Sequence, residues 1–220
     1  RGIIGADEAQ SLAYILYLFA LLRAVIINQW FGFFIFLIML FTVLYSLPPR
    51  TKRFLFINQI WIAIPRGMIG ILAGWSVFGN PWEPLPLIIG GLATLFLIGR
   101  MTTKDIVDEK ADRLVGVKTL VNMFGIRRAA IISFPFLIAP FVLIPLLIDL
   151  GFLEEYLWPL SSLMLGSLFI FYLMFRGDEE SKTLENIHAW SMMYVVYMFF
   201  ALGFALLTIF KDQLPSFLFF

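Results

Sequence analysis

The chain contains no cysteine and a single histidine, His188, in 220 residues. Disulfides and thiolate metal sites are therefore excluded, as is a metal centre built on several imidazoles. Any metal must be held by oxygen ligands. Charge is scarce too. Asp, Glu, Lys and Arg make up 14% of the residues and the net charge is +1, which excludes a strongly basic nucleic-acid binder. A soluble domain carries about 25% charged residues, whereas here 61% of residues are hydrophobic. This is the composition of an integral membrane protein with the bilayer as its solvent. A signal-peptide pattern is also lacking, and the opening Arg1-Gly2-Ile3-Ile4-Gly5 reads as the interior of a longer sequence.

A helical span needs about 20 predominantly apolar residues. Seven such stretches are expected, at 8–27, 30–46, 56–78, 85–103, 128–149, 156–176 and 186–210. The expected fold is all-α, a polytopic transmembrane helical bundle forming a single domain over 1–220. Pro65, Pro135, Pro140 and Pro145 lie inside spans and predict kinks, since partner helices can re-satisfy the freed carbonyls. Gly67, Gly70 and Gly74 form a stripe suited to close helix packing.

One long polar passage interrupts the apolar background, running from Lys104 to Arg113 directly after the fourth span. If it continues that span as a helix, Asp105, Asp108 and Asp112 fall at i, i+3 and i+7, on one face. Carboxylates so placed repel one another, and a hard divalent cation with oxygen ligands is the natural compensation. The plainer alternative is a solvated helix end, with Lys104, Lys110 and Arg113 as surface partners.

The basic residues divide unevenly across the expected topology. The chain start, 47–55, 104–127 and 177–185 carry nearly all of them, while the opposite side holds Lys211 among several acids. The positive-inside rule makes the first side cytoplasmic, so the Asp-rich stretch and the basic loop Pro48-Pro49-Arg50-Thr51-Lys52-Arg53 share the cytoplasmic face. Arg23 lies near the other end of the first span and is placed to snorkel outward. Arg66 lies near mid-depth of the third span, where an arginine needs an anion or a polar cavity; a structural partner and a substrate contact both remain open. His188 reads as a helix-end surface residue.

Carboxylates that hold Mg²⁺ commonly do so where substrate supplies phosphate oxygens, and cations on the same face suit a phosphorylated group. A metal face, several cations and a Phe-rich apolar interior together fit a substrate with a diphosphate head and a long hydrocarbon tail. The metal would take up charge on the leaving diphosphate as a Lewis acid.

At these residues the chain resembles the UbiA superfamily of intramembrane prenyltransferases. The block Lys104-Asp105-Ile106-Val107-Asp108-Glu109-Lys110-Ala111-Asp112-Arg113, with its trailing Gly116-Val117-Lys118-Thr119-Leu120, is similar to the family's second Asp-rich motif. Tyr45-Ser46-Leu47-Pro48-Pro49-Arg50-Thr51-Lys52 is similar to the block that closes the family's fourth helix in the chlorophyll-synthase-like and homogentisate-prenyltransferase-like branches. Arg66-Gly67 is like the latter branch as well. The resemblance implies that Asp105, Asp108 and Asp112 bind Mg²⁺ on the diphosphate. It implies that Lys52, with Arg50, Tyr45 and Lys104, contacts the diphosphate or steadies the loops over it. Arg66 is a further candidate for substrate binding. The donor implied is a polyprenyl diphosphate such as geranylgeranyl diphosphate, and the acceptor is lipophilic, with an aromatic carbon or a hydroxyl as nucleophile. Family members have nine helices and a first motif of the Asn-x-x-x-Asp-x-x-x-Asp type. This chain carries no such motif, and its seven spans resemble helices three to nine, so two helices and half of the metal site are expected before Arg1.

Two other readings compete. A CDP-alcohol phosphotransferase also uses an Asp cluster at the cytoplasmic membrane face, but its Asp-Gly pair followed by Ala-Arg is not found. A cation-coupled transporter would place ionisable residues near mid-membrane, often at broken helices; here the aspartates gather at one face and only Arg66 speaks for it.

Overall fold

The computed structural model describes residues 5–48, 51–176 and 187–213, and every regular element among them is helical. Helices α1 (Ala6–Ile27) and α2 (Gln29–Ser46) form a hairpin with a single linking residue, Asn28. That residue is extended, and its Oδ1 accepts from the backbone N–H of Trp30 at 2.7 Å, capping α2 as Asn commonly does. Gly32 lets the two helices touch, since a Cβ there would lie 2.6 Å from Val25 Cγ2. Large apolar side chains such as Phe19 and Ile26 are exposed along α1, which is the proper surface for a helix facing lipid.

The third expected span, 56–78, is not one uninterrupted helix. It is built from α3 (Ile57–Ile64), a π-helical segment Pro65–Ile69 and α4 (Gly70–Ser76). Pro65 has no N–H to donate, and the wider π turn absorbs the mismatch. Among the described residues six helices are long and apolar enough to cross a membrane, and this broken rod takes the place of the seventh expected span. The π segment lies against α5. The Met68 N–H donates to Thr94 Oγ1 at 2.8 Å, and a Cβ on Gly67 would lie 2.6 Å from Thr94 N.

Helix α5 (Pro84–Val115) is the axis of the molecule. Pro84 opens it, where a missing N–H costs nothing. Gly116, in the left-handed region at φ 71°, closes it by turning the Val117 N–H back to the Asp112 carbonyl at 2.9 Å. Its 32 residues exceed what a bilayer crossing requires. The last dozen, with a rise of about 18 Å, therefore stand beyond the apolar part of the rod. The Asp-rich stretch is thus a continuation of the fourth span.

After the short α6 (Leu120–Phe124) come α7 (Ile126–Asp149), a 3₁₀ segment Glu155–Leu163 leading into α8 (Met164–Arg176), and α9 (His188–Ile209). Helix α7 runs unbroken through Pro135, Pro140 and Pro145. The span expected at 156–176 begins as 3₁₀ around Pro159. Phe96, Leu97, Leu137, Phe141, Ile170 and Met193 make the core where α5, α7, α8 and α9 meet.

Candidate active site

The polar end of α5 carries its charges on two faces. On one, Arg113 Nη2 pairs with Glu109 Oε1 at 2.8 Å, and Arg113 Nε donates to Asn122 Oδ1 on α6. These groups satisfy one another and brace the helix end against α6. On the other face stand Asp105, Asp108 and Asp112, with Lys104 Nζ 3.3 Å from Asp108 Oδ2. Both members of that pair are 42% exposed, so its contribution is small and screened. Asp105 differs in kind. It is 4% exposed, and its Oδ2 has no hydrogen-bond partner. A carboxylate oxygen buried in that state costs free energy unless a cation or donor arrives to satisfy it.

The tertiary structure brings several of the sequence-identified residues to this face. The fields of Asp105, Asp112, Asp108 and Arg66 all reach the half-buried Tyr45 phenol at the end of α2. The positive field at Asp112 comes from Lys104 and from Lys52, in the short 3₁₀ turn Thr51–Arg53. That turn is tied to α2 by the Thr51 hydroxyl, which donates to the Leu44 carbonyl at 3.4 Å. Trp61 on α3 holds α2 as well, its indole N–H donating to the Phe41 carbonyl at 2.9 Å. Arg66 is exposed at the π segment, and its carbonyl accepts from Tyr197 Oη at 2.7 Å. Arg50 lies outside the described residues, as does the polar loop Asp178 to Asn186. His188 is exposed at the start of α9.

Among the described residues, no three acidic or histidine side chains close around a point as an ion cage. Mg²⁺ does not need one, because it usually takes one or two carboxylates and completes its shell with water and substrate phosphate. An open face with one buried, unpartnered carboxylate oxygen on Asp105, and Asp108 and Asp112 on the same face of α5, is a donor set that fits such an ion.

Sequence reasoning missed the charge buried deepest. Arg100, near the end of the fourth expected span, is 3% exposed. Its guanidinium lies 5.4 Å from the ring centroid of Tyr194 and 5.9 Å from that of Tyr197. The available signal was an arginine closing the apolar run Leu92 to Gly99, one turn before Lys104. Asn58 and Gln59, each 5% exposed, were also passed over; both carry a buried polar atom without a partner.

The described residues thus form a bundle of membrane-spanning helices with an Asp-rich helix end that has basic residues and a tyrosine near it. The chain belongs to the UbiA prenyltransferase family, whose model matches residues 1–202, and it is accordingly a multi-pass membrane protein of the prenyltransferase class. It is 26% identical over 211 residues to digeranylgeranylglyceryl phosphate synthase of Methanobrevibacter smithii, covering 92% of this chain and 73% of that one. It is 28% identical over 206 residues to the enzyme of the same name from Sulfurisphaera tokodaii, covering 92% and 71%. Homogentisate solanesyltransferase of Arabidopsis thaliana is 27% identical over 173 residues, covering 71% of this chain and 44% of that one. No solved structure matches the chain significantly.

Proposed function

We propose that this protein transfers the prenyl group of a polyprenyl diphosphate to a lipophilic acceptor within the membrane, with Mg²⁺ at the Asp-rich end of α5. The observation that carries the reading is Asp105, buried with an unpartnered Oδ2 on the helix face that also bears Asp108 and Asp112. Lys52 and Lys104 lend that face positive charge suited to phosphate oxygens, and Arg50 and Arg66 are further candidates for substrate binding. Asp105, Asp108 and Asp112 would hold the ion, which when bound supplies Lewis-acid neutralisation of charge on the diphosphate.

The chain's own groups then divide the work. Lys52 and Lys104 orient the diphosphate, and the C1–O bond of the prenyl diphosphate breaks with both electrons leaving on inorganic diphosphate. The allylic cation so formed is taken by an aromatic carbon or a hydroxyl oxygen of the acceptor. The acceptor's displaced proton passes to diphosphate or solvent. Tyr45 serves at the end of α2 through packing or its hydroxyl, and its ring face is of a kind that stabilises a developing cation. Apolar walls keep water from intercepting the cation. The names of the relatives favour glycerol phosphate lipids or homogentisate as acceptor classes. The uneven charge distribution favours a cytoplasmic active face.

The test is turnover. Full-length protein is incubated with geranylgeranyl diphosphate, Mg²⁺ and a panel of aromatic and glycerol-phosphate acceptors while diphosphate release is followed. Metal-dependent turnover with at least one acceptor, lost in Asp108→Ala and Asp112→Ala, is expected. Absence of turnover with every acceptor, or full turnover in both variants, overturns the reading.

A further inference from the structure

Arg100 is a buried positive charge that meets no carboxylate among the described residues. Among the described residues it forms no ion pair; its Nε has no hydrogen-bond partner, and its Nη1 is directed at the thioether of Met193, 2.8 Å away. A thioether sulfur is a weak acceptor. Tyr194 and Tyr197 offer ring faces, which soften the cost of burial but do not neutralise the charge. The like charge of Arg66 also acts on Arg100, and Tyr197 links the two, its ring 5.9 Å from the Arg100 guanidinium and its hydroxyl donating to the Arg66 carbonyl. Two arginines joined through Tyr197, with no carboxylate paired to Arg100 among the described residues, describe a place suited to an anion. Tyr194, one of the side chains that cover Arg100, is itself 45% exposed.

This place differs in chemistry from the Asp-rich face. Three aspartates accept a diphosphate only through a metal, whereas two arginines accept a bare oxyanion directly. Arg100 precedes Asp105 by five residues, so it lies about 7.5 Å away along the helix axis, on the membrane side. One turn beyond Arg66, at Gly70, an apolar groove begins between α4 and α9. Gly70 and Gly74 follow Arg66 along one wall, and Ala201 and Ala205 follow Tyr197 at successive turns along the other. With Trp75 and Phe204 they line a cavity of about 450 Å³. A Cβ added at Gly74 would meet nothing within 4 Å.

We propose that Arg100 and Arg66 form a second anion subsite, which seats the phosphate or carboxylate head of an amphipathic acceptor whose hydrocarbon chain lies in the groove between α4 and α9. This rests on the prenyl-transfer reading, and it makes the acceptor an anionic lipid rather than a neutral one. An acceptor anchored in this way presents its head-group end to a donor held on the Asp-rich face, one and a half turns away.

The experiment uses purified full-length protein in detergent with EDTA, so that the Asp-rich face holds no metal. Dodecyl phosphate, dodecanoate and dodecanol are titrated against thermal unfolding and tryptophan fluorescence. Dodecyl phosphate or dodecanoate is expected to bind and raise Tm where dodecanol does not, and the one that binds more tightly identifies the head group. Arg100→Met should raise the Kd about tenfold or more, the loss expected for a charge-assisted hydrogen bond. Arg66→Gln, at an exposed position that leaves folding intact, should raise it in the same direction. Gly74→Leu should weaken dodecyl phosphate and spare butyl phosphate. Anionic probes that bind wild type no better than dodecanol overturn the proposal, and so do Kd values unchanged in both arginine variants. In a parallel arm with Mg²⁺, the Kd for geranylgeranyl diphosphate should stay within about threefold of wild type in Arg100→Met. A donor that is lost there while dodecyl phosphate is kept assigns Arg100 to the donor and overturns the proposal. A wild-type protein that never binds the donor instead defeats the prenyl-transfer reading, whatever the alkyl phosphates do.

Discussion

The hydroxyl of Tyr197 donates a 2.7 Å hydrogen bond to the backbone carbonyl of Arg66, across 131 residues of sequence. It clips α9 to the π segment at the point where the broken third span carries its arginine. The same ring stacks on Phe96 at 6.4 Å and faces Arg100. One side chain thus connects the lipid-depth core, the buried charge and the Arg66 backbone.

Tyr197→Phe removes the hydrogen bond and keeps the ring. The expected cost is about 1 kcal/mol, or a fall in Tm of about 2–4 °C by thermal unfolding in detergent. Tyr197→Leu removes the ring as well and should cost more, because Arg100 then loses a cation–π face. Equal stability of the two variants would show that the ring contributes nothing to holding Arg100.

Asp105→Asn should separate stability from activity. The substitution keeps the volume and removes a buried carboxylate charge whose Oδ2 has no partner, so Tm should hold or rise. Turnover should fall by a factor on the order of 10², the usual loss when a group stabilising transition-state charge is removed. Diphosphate release and unfolding, measured on the same preparation, check both halves.

Gly67→Val should be among the most damaging single changes in the third span. Its Cβ would lie 2.5 Å from Thr94 Oγ1 and 2.6 Å from the Thr94 backbone nitrogen. Forcing α5 away from the π segment should cost about 1–3 kcal/mol or more. Gly74→Ala, in the same stripe but facing open space, should be neutral or slightly stabilising through helix propensity. A comparison of the two by denaturant titration discriminates packing from composition.

The absence of cysteine makes topology directly measurable. Lys118→Cys and Asp212→Cys place single thiols at exposed sites on the two expected sides. In intact cells a membrane-impermeant maleimide should label Asp212→Cys, and it should reach Lys118→Cys only after permeabilisation. The opposite pattern would invert the orientation drawn from the positive-inside rule.

Much of the architecture was readable because lipid imposes one rule on a chain: long apolar runs must be helical. The run into Lys104 therefore continued as α5, and the spacing of Asp105, Asp108 and Asp112 placed them on one helix face. Pro65 announced trouble in the third span. What it could not announce was a π turn, because that outcome depends on Gly67 and Met68 fitting against Thr94 and Gly90 of another helix. Asn58 and Gln59 lie near the start of the third expected span, and only the packing of α3 turns them inward.

Composition and pattern alone determined that this is a membrane helical bundle with an acidic, metal-suited helix end beside a basic loop, since hydrophobic length and i, i+3, i+7 spacing are local properties. The fate of Arg100 was settled only by tertiary structure. An arginine at the end of an apolar run is free to snorkel outward or to turn in, and the sequence around it is the same in both cases. Tyr194, Tyr197 and Met193, about 93 residues further along the chain, offered ring faces and a sulfur on the inner side. Their placement drew the charge inward, away from water and from any carboxylate among the described residues.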